Sequence, residues 1–551
     1  MALPTLHGSH PALASLVRWI ALLAALWALN LALSFHNVWP TPWVTTRHEL
    51  SVEAALLALA LAAWAQRRGL PSRRVLHWIA VVLVLLCLGR YAAVTAPALY
   101  GRPINLYWDA PHLPQVAAML AQAAPVWTTA AVLGAIVAVP LLLYGALRLA
   151  LAGLSQALAR PAPRRALLLT GTAVLALFVF EKLHGPLPAA PRFSEPVTSA
   201  YAQQAALLAD AVLGSPARAV LERQPPLPGA DLARLGGADV LLVFVESYGA
   251  TAFERREHRA ALADAHDTLA DAVTASGRQA VSAFVRSPTF GGASWLAHAS
   301  LLSGQEVADA ATYAALLTGD RDTLVQRFAA RGYRAVALMP GIKRAWPEGG
   351  FYRYAQVYDA ARLDYRGPAF GWWAIPDQYA LAVLDARELA ASPRAPLFAV
   401  FPTISTHMPF LPAPPYQPDW ERLLGAHPFD ARALAASLAR QPDWSDLSPA
   451  YVHAMSYALN TLAGYVARRP QREQVLVVLG DHQPAASISG AQAGREVPVH
   501  VIASRGELLR DFLAAGFEPG LTPTRAALMP LHALAPLLLQ AFSDELPAMA
   551  R

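Results

Sequence analysis

Residues 474–484 read QVLVVLGDHQP. A run this short and continuously apolar predicts a strand buried on both faces, with the aspartate and histidine standing just beyond its carboxyl end. The same form recurs at Asp239–Val245, which ends at Glu246, at Arg334–Met339, at Leu397–Ile404, which leads into Thr406 and His407, and at Val497–Ser504. Helical patterns, such as Ala260–Ser276 and Asp322–Arg331, lie between these runs. Apolar strands alternating with helices predict an α/β domain with a mainly parallel central sheet covered by helices.

In such sheets ligands gather beyond the carboxyl ends of the strands. Glu246, Thr406, His407, Asp481 and His482 therefore share one edge of the predicted sheet although they are far apart in the chain. Two carboxylates and an imidazole suit one hard or borderline divalent cation, Mn²⁺ or Zn²⁺. Singly, an acid after a strand is an ordinary turn or cap residue and a lone histidine is structural; their convergence is what points to chemistry. A nucleophile is offered by Ser287–Gly304, SPTFGGASWLAHASLLSG. Its glycines let the backbone approach a ligand, and the apolar run from Ser294 predicts a helix whose amino terminus holds an anion. Ser294 would then be a cation-activated nucleophile and a further ligand. The plainer alternative makes it an N-cap.

Upstream of this domain the composition changes. The chain has 551 residues and is 55% hydrophobic, with a mean hydropathy of +0.33, and the surplus is concentrated before about residue 183. Five segments, near residues 16–35, 50–66, 75–96, 124–147 and 165–182, are read as membrane helices, the second being the shortest. Arg67, Arg68, Arg73 and Arg74 lie between the second and third, and Arg148, Arg160, Arg164 and Arg165 between the fourth and fifth. Basic loops face the cytoplasm, so five spans place the amino terminus inside and everything after Lys182 outside. The first segment is long and lacks a clear cleavage site, so it reads as an anchor, not a removable leader. The expected organisation is a five-helix transmembrane anchor over 1–183, a connector over 184–237 with an amphipathic helix at Ser199–Leu221, and an extracytoplasmic catalytic domain over 238–551.

The net charge of +6 is spent partly on those loops. No later basic cluster is interleaved with aromatics, which argues against nucleic-acid binding. Cys87 is the sole cysteine, which excludes an intramolecular disulfide and a cysteine-based zinc site. An outer loop, Tyr100–Pro114, carries Arg102, Tyr107, Trp108 and Asp109; it reads as an interfacial anchor, or as a surface that meets a lipid headgroup or the catalytic mouth.

The run SWLAHASLLSG resembles the signature of the alkaline phosphatase and sulfatase superfamily, in which the nucleophile lies six residues before the serine of SLL; counting back from Ser300 gives Ser294. Glu246 in FVES and Asp481 with His482 in GDHQP match metal-ligand positions of lipoteichoic acid synthases and phosphoethanolamine transferases, and His407 in STHMPF matches their substrate-phosphate histidine. The resemblance spans about residues 238–505. It implies a metal set of Glu246, Ser294, Asp481 and His482, catalysis by Ser294 and His407, and substrate contacts from Thr406, His407, Lys343, Arg344, Trp346 and Arg353, with Tyr352 in the same patch. Those transferases generally use threonine, which keeps Thr289 as an alternative nucleophile. Their arginine two residues after the tryptophan is Glu348 here, so which basic residue replaces it stays open. Leu296 and His298 stand where formylglycine sulfatases carry proline and arginine, which speaks against sulfate chemistry. The lack of disulfides makes a phosphoglycerol-type transferase the closer analogy. Trp372 and Trp373 are read as packing or membrane-facing residues, Asp377 as a helix cap and His500 as a strand residue.

The implied activity is metal-dependent transfer of a phosphoglycerol-like headgroup from a membrane phospholipid to an envelope glycan or lipid, through a covalent phospho-enzyme, at the bacterial inner membrane. Two alternatives stand beside it: a membrane-anchored phosphodiesterase, phosphatase or sulfatase-like hydrolase, and an inactive envelope scaffold.

Overall fold

In the computed structural model, which describes residues 11–123, 125–185, 192–213 and 217–544, the chain forms two units, Met1–Asp210 and Ala211–Arg551. Parts of the expected segments, namely 1–10 and 124 of the anchor, 186–191 and 214–216 of the connector and 545–551 at the end of the chain, lie outside the described residues.

The first unit contains five long helices: α1 (Pro11–Ser34), α2 (Val52–Arg68), α3 (Arg73–Tyr100), α4 (Val126–Leu158) and α5 (Pro161–His184). Among the described residues, four helices are long and apolar enough to cross a membrane, those based on α1, α3, α4 and α5. This falls one short of the expected five. The difference is α2, whose 17 residues give a rise of about 25 Å. Ser51 Oγ accepts the Ala54 N–H at its start, and Gly69, with φ +81°, ends it directly after Arg67 and Arg68. Its small residues Ala54, Ala58, Ala62 and Ala65 are buried. At Gly171 of α5, a Cβ would come within 3.1 Å of Leu59 Cβ, tighter than most such contacts, so glycine lets α5 and α2 pack closely there. Arg90 is buried in α3, and its Nε–H and Nη1–H donate to the carbonyls of Phe35 and Glu195 at 2.8 and 3.1 Å. In the loop after α3, Arg102 forks both oxygens of Asp109 at 3.0 and 2.8 Å. Asp109 also accepts the Asn105 N–H, so this pair closes the loop on itself. The connector helix appears as Val197–Leu213 and Ala217–Arg223.

The second unit is built on an eight-stranded sheet. Its principal elements in chain order are β1 (Asp239–Val245), α6 (Arg256–Ala275), β2 (Gln279–Arg286), α7 (Ser294–Ser303), β3 (Arg334–Met339), β4 (Gln356–Asp359), α8 (Asp377–Leu384), β5 (Leu397–Pro402), α9 (Ser448–Arg468), β6 (Gln474–Gly480), β7 (Glu496–Ala503), β8 (Glu518–Pro519) and α10 (Leu534–Ala541). The strand order is β8-β2-β7-β6-β1-β5-β3-β4. From β6 to β4 every pairing is parallel, whereas β7 runs antiparallel to β6 and β2. The sheet is thus mixed and mostly parallel.

The reversal at β7 has a local cause. A parallel return needs a long crossover, but between β6 and β7 the chain forms only the one-turn helix Ala486–Ser489. Two further strands are not apparent as apolar runs: β2, which is broken by Ser282, and the edge strand β4. Where strands are apolar throughout, alternation sends their side chains into two cores. Leu241, Val243 and Val245 of β1 join Leu262 and Leu269 of α6 and Tyr451 and Leu459 of α9. Val240, Leu242 and Phe244 face the opposite way, toward Ala297 and Leu301 of α7 and Leu534 and Leu538 of α10. Glu246 continues the register of Phe244, so its side chain emerges on the face that α7 covers.

Candidate active site

The parallel strands β1, β5 and β6 end side by side: Phe244 pairs with Pro402 and Val245 with Gly480. That register brings Glu246, the segment leading to His407, and Asp481 with His482 to one edge. Glu246, Asp481 and His482 are buried, with one possible ligand atom from each lying within 4.8 Å of the others.

Ser294 completes the group from the neighbouring helix. Its Oγ donates to Glu246 Oε2 at 2.8 Å and lies 3.1 Å from His482 Nε2. Two non-glycine residues with left-handed backbone flank the site, Ala293 at φ +61° and Ser247 at φ +60°. Each such residue costs on the order of 1 kcal/mol. Ala293, not Ser294, occupies the cap position of α7, and no side chain caps this helix. The positive end of the helix dipole is thereby left at the serine, where a bound phosphate would be stabilised. The rival Thr289 is buried, and its hydroxyl donates to the Gly292 carbonyl, which braces the loop that delivers Ser294.

The electrostatics follow from these contacts. Burial works against ionisation of Glu246, but the charge and hydrogen bond of His482, the charge of His407 and the Ser294 hydrogen bond together hold its carboxyl far below the usual range. Burial likewise works against the protonated His482 ring, yet Asp481 and Glu246 win and push it up to about 9. His482 Nδ1 lies 2.8 Å from the Gln483 carbonyl. A carbonyl only accepts, so Nδ1 carries hydrogen and Nε2 is the atom on which a proton and a cation would compete. Asp481 Oδ1 accepts the N–H groups of Ser247 and His482 at 2.9 and 2.7 Å.

The donor chemistry fits a divalent cation. His482 Nε2 is 3.3 Å from Glu246 Oε1 and 3.8 Å from Asp481 Oδ1, close to the roughly 3 to 3.5 Å separating ligands bound at about 2.1 Å. Among the described residues, the ion-pair partners of Glu246 and Asp481 are histidines only, with no lysine or arginine to neutralise them.

Around this centre the other expected residues divide. His407 is partly exposed, its Nδ1 is 2.9 Å from the Met408 carbonyl, and its ring rests against Trp373 at 4.4 Å between centroids. Lys343 Nζ lies 4.4 Å above the Trp372 ring and donates to the Trp372 carbonyl, so one tryptophan pair links it to His407. The pair therefore does more than the packing expected of it. Thr406, expected at the substrate, is fully buried and donates to the Glu246 carbonyl at 2.6 Å; its hydroxyl fastens two strand ends together. Trp346 is half-buried against the core, stacking on Tyr352 at 6.1 Å, while Arg344 and Arg353 are exposed.

Two residues were undervalued in the sequence. Asp377 is not the expected helix cap, since Pro376 holds that position and no side chain caps α8; its two oxygens instead accept the N–H groups of Ile404 and Ser405 at 2.8 and 2.9 Å, fixing the segment that presents His407. Burial pushes its carboxyl up to about 6. His298, one helical turn after Ser294, lies 3.7 Å from Asp481 Oδ2. Its position four residues along the predicted helix was the available signal. His500 is buried between Tyr248 and Ser282 at 3.1 and 2.8 Å, and burial pushes it down to about 3, which leaves it a neutral strand residue.

No family model matches the sequence, nor does any curated protein. Three solved structures with similarity illustrate the range. The integral membrane lipooligosaccharide phosphoethanolamine transferase A of Neisseria meningitidis is 14% identical, with 96% of this chain and 95% of that chain covered and a TM-score of 0.47. The lipoteichoic acid synthase LtaP of Listeria monocytogenes is 12% identical, with 48% and 65% covered and a TM-score of 0.32. The phosphoglycerol transferase GacH of Streptococcus pyogenes, solved with sn-glycerol-1-phosphate, is 10% identical, with 59% and 82% covered and a TM-score of 0.34.

Proposed function

We propose that this chain is a membrane-anchored phosphotransferase of the alkaline phosphatase and sulfatase superfamily. It moves a phosphoglycerol-like headgroup from a membrane phospholipid to an envelope glycan or lipid acceptor through a phospho-enzyme on Ser294. The observation that carries the reading is the place of one hydroxyl: Ser294 Oγ touches Glu246 and His482 at an uncapped helix start.

Glu246, Asp481, His482 and Ser294 would hold one divalent cation, Mn²⁺ or Zn²⁺. Such a cation would supply positive charge that favours the deprotonated forms of the Ser294 hydroxyl and the His482 ring and offsets phosphate charge. Ser294 Oγ then forms a bond to phosphorus as the bond from phosphorus to the diacylglycerol oxygen breaks, and that oxygen leaves with a proton from His407. In the second half, the acceptor hydroxyl gives its proton back to His407 and bonds to phosphorus, and the Ser294 oxygen is released. The Nδ1 contact of His407 with the Met408 carbonyl supports this role, because it leaves Nε2 to exchange the proton. Lys343 lies beside this group, where it would meet the substrate, and Arg344 and Arg353 extend the basic surface.

In this reading the anchor covers 1–183, the connector 184–237 and the catalytic domain 238–551. All five helices cross the inner membrane, α2 at the short limit of the spanning range, and the catalytic unit is extracytoplasmic. Tethering keeps the site close to its lipid donor.

The test uses the purified full chain with Mn²⁺ or Zn²⁺, vesicles of headgroup-labelled phosphatidylglycerol and an envelope glycan fraction as acceptor. A phosphoglycerol adduct on Ser294, diacylglycerol release and label on an envelope glycan are the expected results. Free glycerol phosphate as the only product would make the enzyme a hydrolase, an adduct on Thr289 would move the nucleophile, and no adduct with no turnover would leave a scaffold.

A further inference from the structure

The Ser294 helix carries a second side chain toward the same carboxylates. His298 lies four residues after Ser294, hence on the same face of α7. Its ring packs on Phe244 at 4.4 Å between centroids, two residues before Glu246, which fixes the ring against the sheet. The ring nitrogen Nε2 is buried without a hydrogen-bond partner and lies 3.7 Å from Asp481 Oδ2. Asp481 itself is almost wholly buried, and its other oxygen is taken by two backbone N–H groups.

Two buried polar atoms facing each other across 3.7 Å are too far apart for a hydrogen bond and too close to ignore one another. Among the described residues, Asp481 has its Oδ1 fixed by the backbone and its Oδ2 faced only by this imidazole. Carboxylates that ligate metals are commonly oriented by an outer hydrogen bond, and losing it weakens the metal. We infer that His298 is a positioning residue, its Nε2 facing Asp481 Oδ2 at ion-pair distance and closing to a hydrogen bond when the centre is loaded, so that the helix bearing Ser294 is tied to the carboxylate that would bind the cation. The inference rests on the cation centre proposed above, and it gives this chain a link between nucleophile and ligand set running through one helical turn.

Three full-length proteins in detergent test it, with Zn²⁺ affinity measured by competition against a chromophoric chelator. His298→Phe keeps the ring packing on Phe244 and removes the donor; His298→Gln keeps an N–H at nearly the same reach. The Phe variant is expected to bind Zn²⁺ about 10- to 100-fold more weakly and the Gln variant within about threefold of wild type, with all three unfolding at the same temperature in excess chelator. Wild-type affinity in the Phe variant, or equal weakening in both variants, overturns the role of His298 while leaving the cation centre intact. No Zn²⁺ or Mn²⁺ binding by the wild-type chain overturns the centre and this role together.

Discussion

The two edges of the central sheet treat buried carboxylates in opposite ways, and strand β1 shows both. Asp239, at its start, is forked by Arg394, with Nη1 at 2.7 Å from Oδ1, and also accepts the Leu397 N–H. Nearby, Glu388 is held by Arg334 and Tyr358, and Asp385 by Arg468, Arg469 and Arg472. Among the described residues, Glu246, just past the other end of β1, meets only a histidine and two serine hydroxyls with its side chain. A guanidinium is a permanent counter-charge, whereas a proton on an imidazole can be exchanged for a cation. The type of partner, not burial, separates the edge that holds the fold together from the edge proposed to do chemistry.

The largest test of that contrast exchanges one residue at each edge. Ser294→Ala should lower turnover by about 10⁴-fold or more, abolish the phospho-enzyme seen by mass spectrometry and leave the unfolding temperature within a degree or two. Asp239→Ala should do the reverse, because removing one partner strands the buried end of Arg394; a loss of about 3 kcal/mol in chemical denaturation is expected, with kcat nearly unchanged. Comparable loss of stability from both variants would erase the distinction.

A smaller effect appears with pH. In chelator, His482 is raised to about 9 from an ordinary value near 6.5, so the stability it contributes is full below pH 6.5 and is lost as pH rises through 9. Asp385 and Glu388 are held below their ordinary values by their arginine hydrogen bonds, which outweigh burial, so their contribution is lost as pH falls below about 4. Both edges should therefore loosen in acid, because Glu246 is also held below its ordinary value, and the alkaline loss through His482 belongs to the carboxyl edge. Thermal unfolding of chelated protein from pH 6 to 10 should show the alkaline fall, and His482→Gln should flatten it. Saturating Zn²⁺ should also remove it, since the cation takes the proton's place.

What the sequence made legible follows the same physics. Strands buried on both faces announce themselves as unbroken apolar runs, so β1, β3, β5 and β6 and the residues at their ends could be read directly. β2 could not, because Ser282 interrupts its run to meet His500, a partner 218 residues away. The direction of β7 depended on the length of a connection that carries no periodic signal. In the site, Glu246, Asp481 and His482 come together because strand register places them, and Ser294 joins them from the start of α7. Thr406 pointed inward and Trp373 toward His407 for reasons of side-chain direction, which spacing does not encode.

Asp377 supplies the subtlest break in the comparison, since it is a buried carboxylate at the functional edge whose partners are backbone N–H groups. Burial, the leading cause, raises it to about 6. A raised carboxyl contributes stability that is present below its ordinary value and lost as pH rises through 6. Positioning runs the other way, because only the carboxylate form offers acceptors to both Ile404 and Ser405 and so steadies the approach to His407. Turnover should therefore fall, while the contribution of this group to stability grows, as pH drops through 6. Asp377→Asn, with one acceptor and one donor, mimics the protonated state. It should run up to about tenfold slower than wild type at pH 7.5 and lose the acidic limb near pH 6 in kcat. A retained limb would assign that titration to another group and leave Asp377 as a structural brace.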